Sequence, residues 1–516
     1  MKRRTVNLVC IVLCLCMVPA IFLSCSGKGG QQETGEAISA GRTDIGTRDQ
    51  TGSETGEGSG VSLDVDGNGY LKDSLDGKNY RDTEVSILSW EDNIFLFPEK
   101  YSTDDPVIAL VYSRDRYIED RLGVAFSVTK KTSNASADKE AAQALYNLVA
   151  AGTESFDAVV SYSLYPPLMA YNGLLYDLNT LEYPETEKPW YPKNLDQWEV
   201  YDRLFYITGN SAVRTFNSIH VIYANTTLLT TQGITDVIQS VIDGTWTLEQ
   251  LQVYARNWAS DATDNPEPTY GLLWTHRTSM DAFYYGAGFQ STVIDDEGLP
   301  QLAYTGADSQ QIDDFVERIR GMMDSPECHI LQKSSSQLME AHRTVFYAGS
   351  LASVRNIGGD KEITVIPYPK RDENQSDYIS IQDNAYDIWC VPFTARDPQL
   401  GAVIIEAMMS SDYRTIGPDY FDRNLKYRYS NSLEGVEIFE IIRSSLSTDF
   451  GRVNQKAMEG KSVEALIRDC VYPWTNAGND GPVYTGRGFI SRLDEVIGTH
   501  TAALQKIHTV YRNYKD

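Results

Sequence analysis

The 516-residue chain contains no Gly-x-Ser-x-Gly elbow, no His-Glu-x-x-His and no P-loop, and its six histidines are scattered singly. A serine hydrolase, a zinc peptidase and a nucleotide-phosphate cradle each need one of those local arrangements, so the sequence offers none of these chemistries and implies no cofactor or metal. Basic residues are in short supply: 45 Lys and Arg stand against 71 Asp and Glu, a net charge of -26. Phosphate contacts require clustered cations, so nucleic acid and anionic lipid are poor direct partners. Cysteine is also sparse. Of seven, Cys10, Cys14 and Cys16 lie in the N-terminal apolar run; Cys25, Cys328, Cys390 and Cys470 have no metal-type spacing and allow at most one disulfide among them, or buried thiols. Beyond residue 23 no apolar stretch is long enough to span a bilayer, and there is no internal repeat. Adjacent acids such as Glu91 and Asp92 cannot form a glycosidase pair by themselves, because that chemistry needs two carboxylates separated across a glycosidic bond.

What is present begins with Lys2, Arg3 and Arg4 ahead of an apolar run from Val6 to Leu23, then Ser24-Cys25. This layout predicts a signal peptide over 1–24 and a lipidated Cys25, with a retained anchor helix as the alternative; either way the bulk of the chain is exported and held at the extracytoplasmic face of the cell membrane. Residues 26–60 are Gly, Ser, Thr, Gln and Glu with almost nothing apolar, a composition that cannot offset the entropy of ordering, so 25–82 is expected to be a flexible linker. Asp64, Asp66, Asn68 and Gly69 copy half of an EF-hand loop, but Leu75 stands where the bidentate Glu would be, and a plain acidic turn is the better reading.

At 516 residues the body exceeds what one hydrophobic core usually serves, so at least two domains are expected. Val85–Trp90 reads as a strand, Pro106 opens a helix that Gly123 stops, Val124–Thr129 and Asp157–Val160 read as further strands, and strands alternating with helices imply a parallel α/β sheet. Ile219–Tyr223 is a buried strand ended by Asn225. Leu228 and Leu229 follow in a short helix, then Gly233, Trp246, and Thr247 capping a helix with Leu248, Leu251, Tyr254, Ala255 and Trp258 on one face. The chain is rich in tyrosine, with 32 residues that offer a flat apolar face plus a hydroxyl, suited to sugar binding as well as to packing.

This order of strand, Asn, helix, Gly, Trp-Thr and helix resembles the signature of the bacterial extracellular solute-binding proteins of ABC importers, the maltose-binding-protein-like class (family 1), although Tyr223, Ala224, Asn225 stand where Tyr-Asn is usual. YSRDRYIEDRLGV, FYAGSLASVRNI, ITVIPYPK and the run Tyr386–Val391 extend the resemblance from about Thr83 to the C-terminus. It implies a two-lobed, periplasmic-binding-protein-like α/β fold of type II with a central cleft and several hinge crossings. Lobe I is expected to take 83–218 and 360–395, lobe II 219–359 and 396–516, with crossings near Ile219–Tyr223, Gly358–Lys361 and Trp389–Phe393. Ligands of open α/β sheets sit beyond the carboxyl ends of strands. That rule selects Trp90, Asp92, Ser161 and Tyr162 on one side and Trp274, Tyr284, Arg355 and Asn356 on the other, to which Tyr223 and Trp389 are added; every one of these also has a packing role open to it. By the resemblance the chain is a monomeric binding protein that captures a small solute, a sugar or oligosaccharide, and hands it to ABC permease subunits. A secreted carbohydrate-active enzyme and a ligand-sensing co-receptor of the same fold are the competing readings.

Overall fold

A computed structural model describes residues 65–514, apart from positions within 135–155, 257–268, 324–335, 354–361, 427–432 and 472–487. Cys25, Arg355 and Asn356 lie outside the described residues. In chain order the elements used below begin with β1 (Thr83–Trp90), α1 (Pro106–Leu122), β2 (Val124–Lys131), β3 (Ala158–Tyr162), β4 (His220–Asn225), α2 (Leu248–Ala255), β5 (Tyr270–Thr275) and α3 (His276–Gly286). They continue through β6 (Thr292–Ile294), β7 (Pro300–Leu302), α4 (Asp308–Met323), β8 (Cys328–Leu331), β9 (Thr344–Ser350), β10 (Ile363–Ile366) and β11 (Asp387–Cys390). The last are α5 (Pro398–Arg414), a π-helix (Gly417–Lys426), α6 (Phe450–Val453), α7 (Val463–Val471) and α8 (Phe489–Arg512).

Two main sheets organise the body, one in the order β11-β3-β1-β2 and one in the order β10-β4-β9-β5-β8. In the first, β1 pairs in parallel with β2 along all eight residues and with β3, while β11 closes the edge antiparallel, Trp389 opposite Val160. β1 and β3 are apolar on both faces, as central parallel strands must be; edge strand β2 alternates and ends in Lys130 and Lys131. In the second, β4 is antiparallel to both β9 and β10, and β5 is parallel to β9 and β8.

The local signals act as expected. Asp105 accepts from the amides of Val107 and Ile108 ahead of Pro106, and Gly123, at φ 60°, closes α1 in the left-handed conformation. Asn225 Oδ1 accepts from Leu228 N, and Thr247 caps α2 through Gln250 N. Trp246 is fully buried, its indole N–H donating to the Pro367 carbonyl.

Each sheet has its own apolar core, and the two cores redraw the expected lobe boundaries. β10 was expected in lobe I, but it pairs with β4 and its side chains belong to the lobe II core. α5 was expected in lobe II, but Leu400 to Met409 pack under β3 and β11 in the lobe I core, and Gly401 lets the helix lie directly against the Asp157 carbonyl. The crossings move accordingly. One runs between Ile207, bridged to Trp389 in lobe I, and His220 in lobe II; another runs between Gln382, bridged to Ile219, and Asp387. Ile357 and Ile363 both sit in the lobe II core, and the crossing expected near Gly358–Lys361 lies outside the described residues. Further exchanges follow α5, flank α6, whose Phe450 and Val453 pack in lobe I, and occur within α8.

The linker expected over 25–82 also ends earlier than Thr83. Leu75 is 1% exposed in the lobe I core, and Asp73 accepts from Arg121 Nη1 at 2.9 Å, Arg414 Nη2 at 2.6 Å and Ser410 Oγ at 2.6 Å. Leu75, with Leu71 and Tyr80 packed partly buried against the same core, and one carboxylate facing two guanidinium groups dock this short segment.

Candidate functional site

The carboxyl ends of β1 and β3, the crossing segments and α6 converge between the two cores. At the end of β1, Trp90 is 2% exposed and its indole N–H donates to Asp387 Oδ1 at 2.8 Å; Asn93 Nδ2 donates to the same oxygen at 2.7 Å. Arg214, on the short helix of the first crossing, holds its guanidinium 5.3 Å from the Trp90 ring centre and donates to Asn93 Oδ1 and the Asp92 carbonyl. Tyr162 meets Trp90 edge-on with centroids 5.6 Å apart. Burial pushes the Asp387 carboxyl up to about 6, against the opposing pull of Arg214, Trp90 and Asn93.

Next to this group the second crossing presents Asp383, partly exposed, whose Oδ1 accepts from Ala385 N at 2.6 Å. Removal from water raises its carboxyl, while Ala385 N–H, Arg452 and Arg214 act in the opposite direction. Asp383 in turn acts on the Tyr162 hydroxyl, whose ionisation burial suppresses first and this nearby negative charge further. From the far side comes Arg452 of α6. It donates to the Gln382 carbonyl at 2.7 Å and to Asp281 Oδ2 of α3 at 3.2 Å, lies 3.8 Å from Glu464 Oε1 and stands 5.4 Å from the Tyr285 ring centre. Burial works against its charge, but Asp281, Tyr285 and Glu464 hold it protonated above the usual arginine range. Lys456 donates to the Tyr165 hydroxyl, which donates to the Asn134 carbonyl, and Asn134 Nδ2 donates to Asp92 Oδ2 at 2.9 Å. The result is a polar floor with cationic donors, one partly open carboxylate acceptor and tyrosine rings, resting on the crossings themselves. Such a floor can satisfy many hydroxyl groups at once.

The residues selected from the sequence fall into two groups. Trp90, Asp92 and Tyr162 come together here; Asp92 is exposed, whereas Trp90 and Tyr162 are buried beneath Arg214 and Asp383 and have no open face for stacking. Ser161 is also buried, hydrogen-bonded at 2.7 Å to Ser133. Tyr223 is buried in lobe II, stacked on Tyr347 and donating to the Ser350 carbonyl. Tyr284 is fully buried against Phe289 and donates to the Gln290 carbonyl, and Trp389 is buried against Phe97. These three fill cores because their strand or helix neighbours offer apolar surface on both sides. Trp274 lies on β5 beside β9 and β8. Sequence reasoning passed over Asp383, Arg214 and Arg452. The only signal was a polar interruption, Gln382-Asp383-Asn384, between two apolar strands, and that interruption is the crossing.

Among the described residues no helix is long and apolar enough to cross a membrane, and no group of His, Cys, Asp and Glu has the geometry to hold a metal ion.

No family model and no curated protein matches the chain. Solved structures do. The sugar-binding protein MalE of Xanthomonas citri is similar over 84% of this chain and all of its own, at 11% identity and a TM-score of 0.55. The extracellular solute-binding protein of Staphylococcus aureus, in complex with maltose, is similar over 83% of this chain and all of its own, at 10% identity and a TM-score of 0.52. The galacto-N-biose/lacto-N-biose I-binding protein of the Bifidobacterium longum ABC transporter, in complex with lacto-N-biose, covers 84% of this chain and 97% of its own, at 11% identity and a TM-score of 0.51. Together with its two sheets, two cores and repeated crossings, this likeness shows that the chain has the two-lobed α/β fold of these solute-binding proteins.

Proposed function

We propose that this protein is an extracytoplasmic receptor that captures a hydroxyl-rich small solute, a sugar or oligosaccharide, between its lobes and delivers it to an ABC permease. One observation carries the reading: the polar floor of Asp383, Arg214, Arg452 and Tyr162 sits on the segments by which the chain passes between the lobes. A ligand held there touches both bodies and the hinge at once. Contacts from both lobes exist together only in the closed form, so binding shifts the hinge equilibrium toward closure, and a permease that recognises closure is loaded selectively. The carbohydrate class rests on the chemistry of the floor and on the sugars named with structures of the same fold. The lipid anchor at Cys25 and the monomeric state belong to the same proposal.

The test is a thermal-shift and calorimetric screen of the purified protein over mono- and oligosaccharides. A ligand at a hundredfold excess over its Kd stabilises the fold by about 2.7 kcal/mol, a readily measured change. Asp383→Asn keeps the shape, removes the partly exposed acceptor charge and is expected to weaken the hit about tenfold, equivalent to about 1.4 kcal/mol, while changing unliganded stability little. Absence of binding to any carbohydrate, or affinity unmoved by Asp383→Asn, would sink the proposal. Turnover of a bound oligosaccharide would instead favour a carbohydrate-active enzyme.

A further inference from the structure

α8 is one unbroken helix from Phe489 to Arg512, and its two ends serve different lobes. Phe489 and Leu493 pack in the lobe II core, and the amides of Phe489 and Ile490 donate to Asp313 of α4. Ala503, Leu504, Ile507 and Tyr511 pack in the lobe I core, where Tyr511 meets Phe205 with centroids 4.9 Å apart. The lobe II core takes Leu493 and, partly buried, Val496 and Ile497, and the lobe I core begins at Ala503; between them His500 Nδ1 lies 2.8 Å from the Tyr304 hydroxyl. A strut tied at both ends would oppose relative motion of the lobes unless it could bend between its ties. At the changeover the sequence reads Gly498-Thr499-His500-Thr501, four weak helix formers in succession, whereas the flanking turns contain Leu493, Glu495, Ala502, Ala503 and Leu504. Gly498 is exposed, and a Cβ added there would meet nothing within 4 Å, so packing does not demand glycine at this position.

We infer that Gly498 is the bending point of an interlobe strut, and that α8 sets how far the lobes can swing. Glycine in a helix interior costs stability relative to alanine and gives the backbone the freedom at which helices kink. Here that freedom sits within one turn of the place where the helix passes from one core to the other. The inference builds on the hinge reading above, and its test is made without ligand so that the two can fail separately.

The experiment places spin labels at Asp120→Cys on α1 and Gln239→Cys on the exposed face of the helix Val237–Ile242, with the other accessible thiols replaced by serine, and measures the interlobe distance distribution of the full mature chain. Gly498→Ala is compared with Gly321→Ala, which lies in α4 inside lobe II and likewise has nothing within 4 Å of its added Cβ. Both variants are expected to raise Tm by about 1–2 °C through helix propensity. Only Gly498→Ala is expected to narrow the distance distribution. An unchanged width in Gly498→Ala overturns the inference, and so does equal narrowing in both variants, which would mark general stiffening. A protein that binds no sugar in the screen yet narrows only at Gly498 keeps this inference and loses the proposed function.

Discussion

Asp73 offers the sharpest test of how the chain is held together. Its side chain is fully buried and accepts from Leu75 N, from both terminal nitrogens of Arg121, from Arg414 and from Ser410. Asp73→Asn replaces one acceptor oxygen with an amide that donates, so a donor is turned toward two buried guanidinium groups. Breaking one side of a buried, hydrogen-bonded ion pair costs about 3–5 kcal/mol, far above the 0–1 kcal/mol of a surface pair. Urea unfolding of wild type and variant at pH 7 measures the difference directly. The pH dependence supplies a second check. Burial alone would raise the Asp73 carboxyl, but Arg121, Ser410 and Arg414 hold it well below the usual carboxylate range. A group with a depressed folded pKa stabilises above its unfolded pKa of about 4 and loses that contribution as pH falls below it. The gap between wild type and Asp73→Asn should therefore be full at pH 5–7 and shrink toward pH 3. A loss under about 1 kcal/mol at pH 7 would refute the docking of residues 65–82 on lobe I.

Two further outcomes follow from the same physics. Glu406 is fully buried on α5, accepting from Trp190, Tyr191 and Glu185 N, and burial pushes its carboxyl up to about 7; a raised folded pKa means stability declines as pH rises from about 4.5 to 7, and Glu406→Gln should flatten that slope in a pH series of thermal melts. Gly451→Ala would drive a Cβ into Ser291 Oγ and Thr292 Cγ2, where Asp449 stitches α6 to β6, and should cost about 1–3 kcal/mol by denaturant unfolding; a neutral variant would show that α6 can shift freely.

The helix caps and strand cores were legible because their causes are local. Pro106, Gly123, Asn225 and Thr247 act within four residues of themselves. The lobe assignment of β10 was not, because ITVI is apolar on both faces and carries no mark of which sheet it will join; only its antiparallel register with β4 decides. Docking of Asp73 depends on arginines 48 and 341 residues away, which no window around residue 73 contains. The candidate site lies in the region the strand-end rule selects, at the ends of β1 and β3, but its set of side chains differs from the one selected. A tryptophan closing a strand has the same sequence signature whether its ring meets a ligand or, as Trp90 does, a guanidinium and a tyrosine edge. Asp383 and Arg452 belong to no motif, and their place in the candidate site comes from where the chain passes between lobes.

The placement of β11 beside β3 governs how the molecule is made. The sheet of lobe I lacks its edge strand until residues 387–390 exist, and the Trp90–Asp387 contact joins residues 297 apart in sequence. A chain emerging N-terminus first therefore presents β3 with an unpaired edge and an uncovered apolar face while residues 163–386, about two-fifths of the chain, are still being delivered, the circumstance in which strands find the wrong partner. Closing so long a loop is slow, and α5, which covers that face, arrives only afterwards. Neither lobe is a contiguous folding unit, so the maturation of this protein is a race between completion of the chain and association of its half-built sheet.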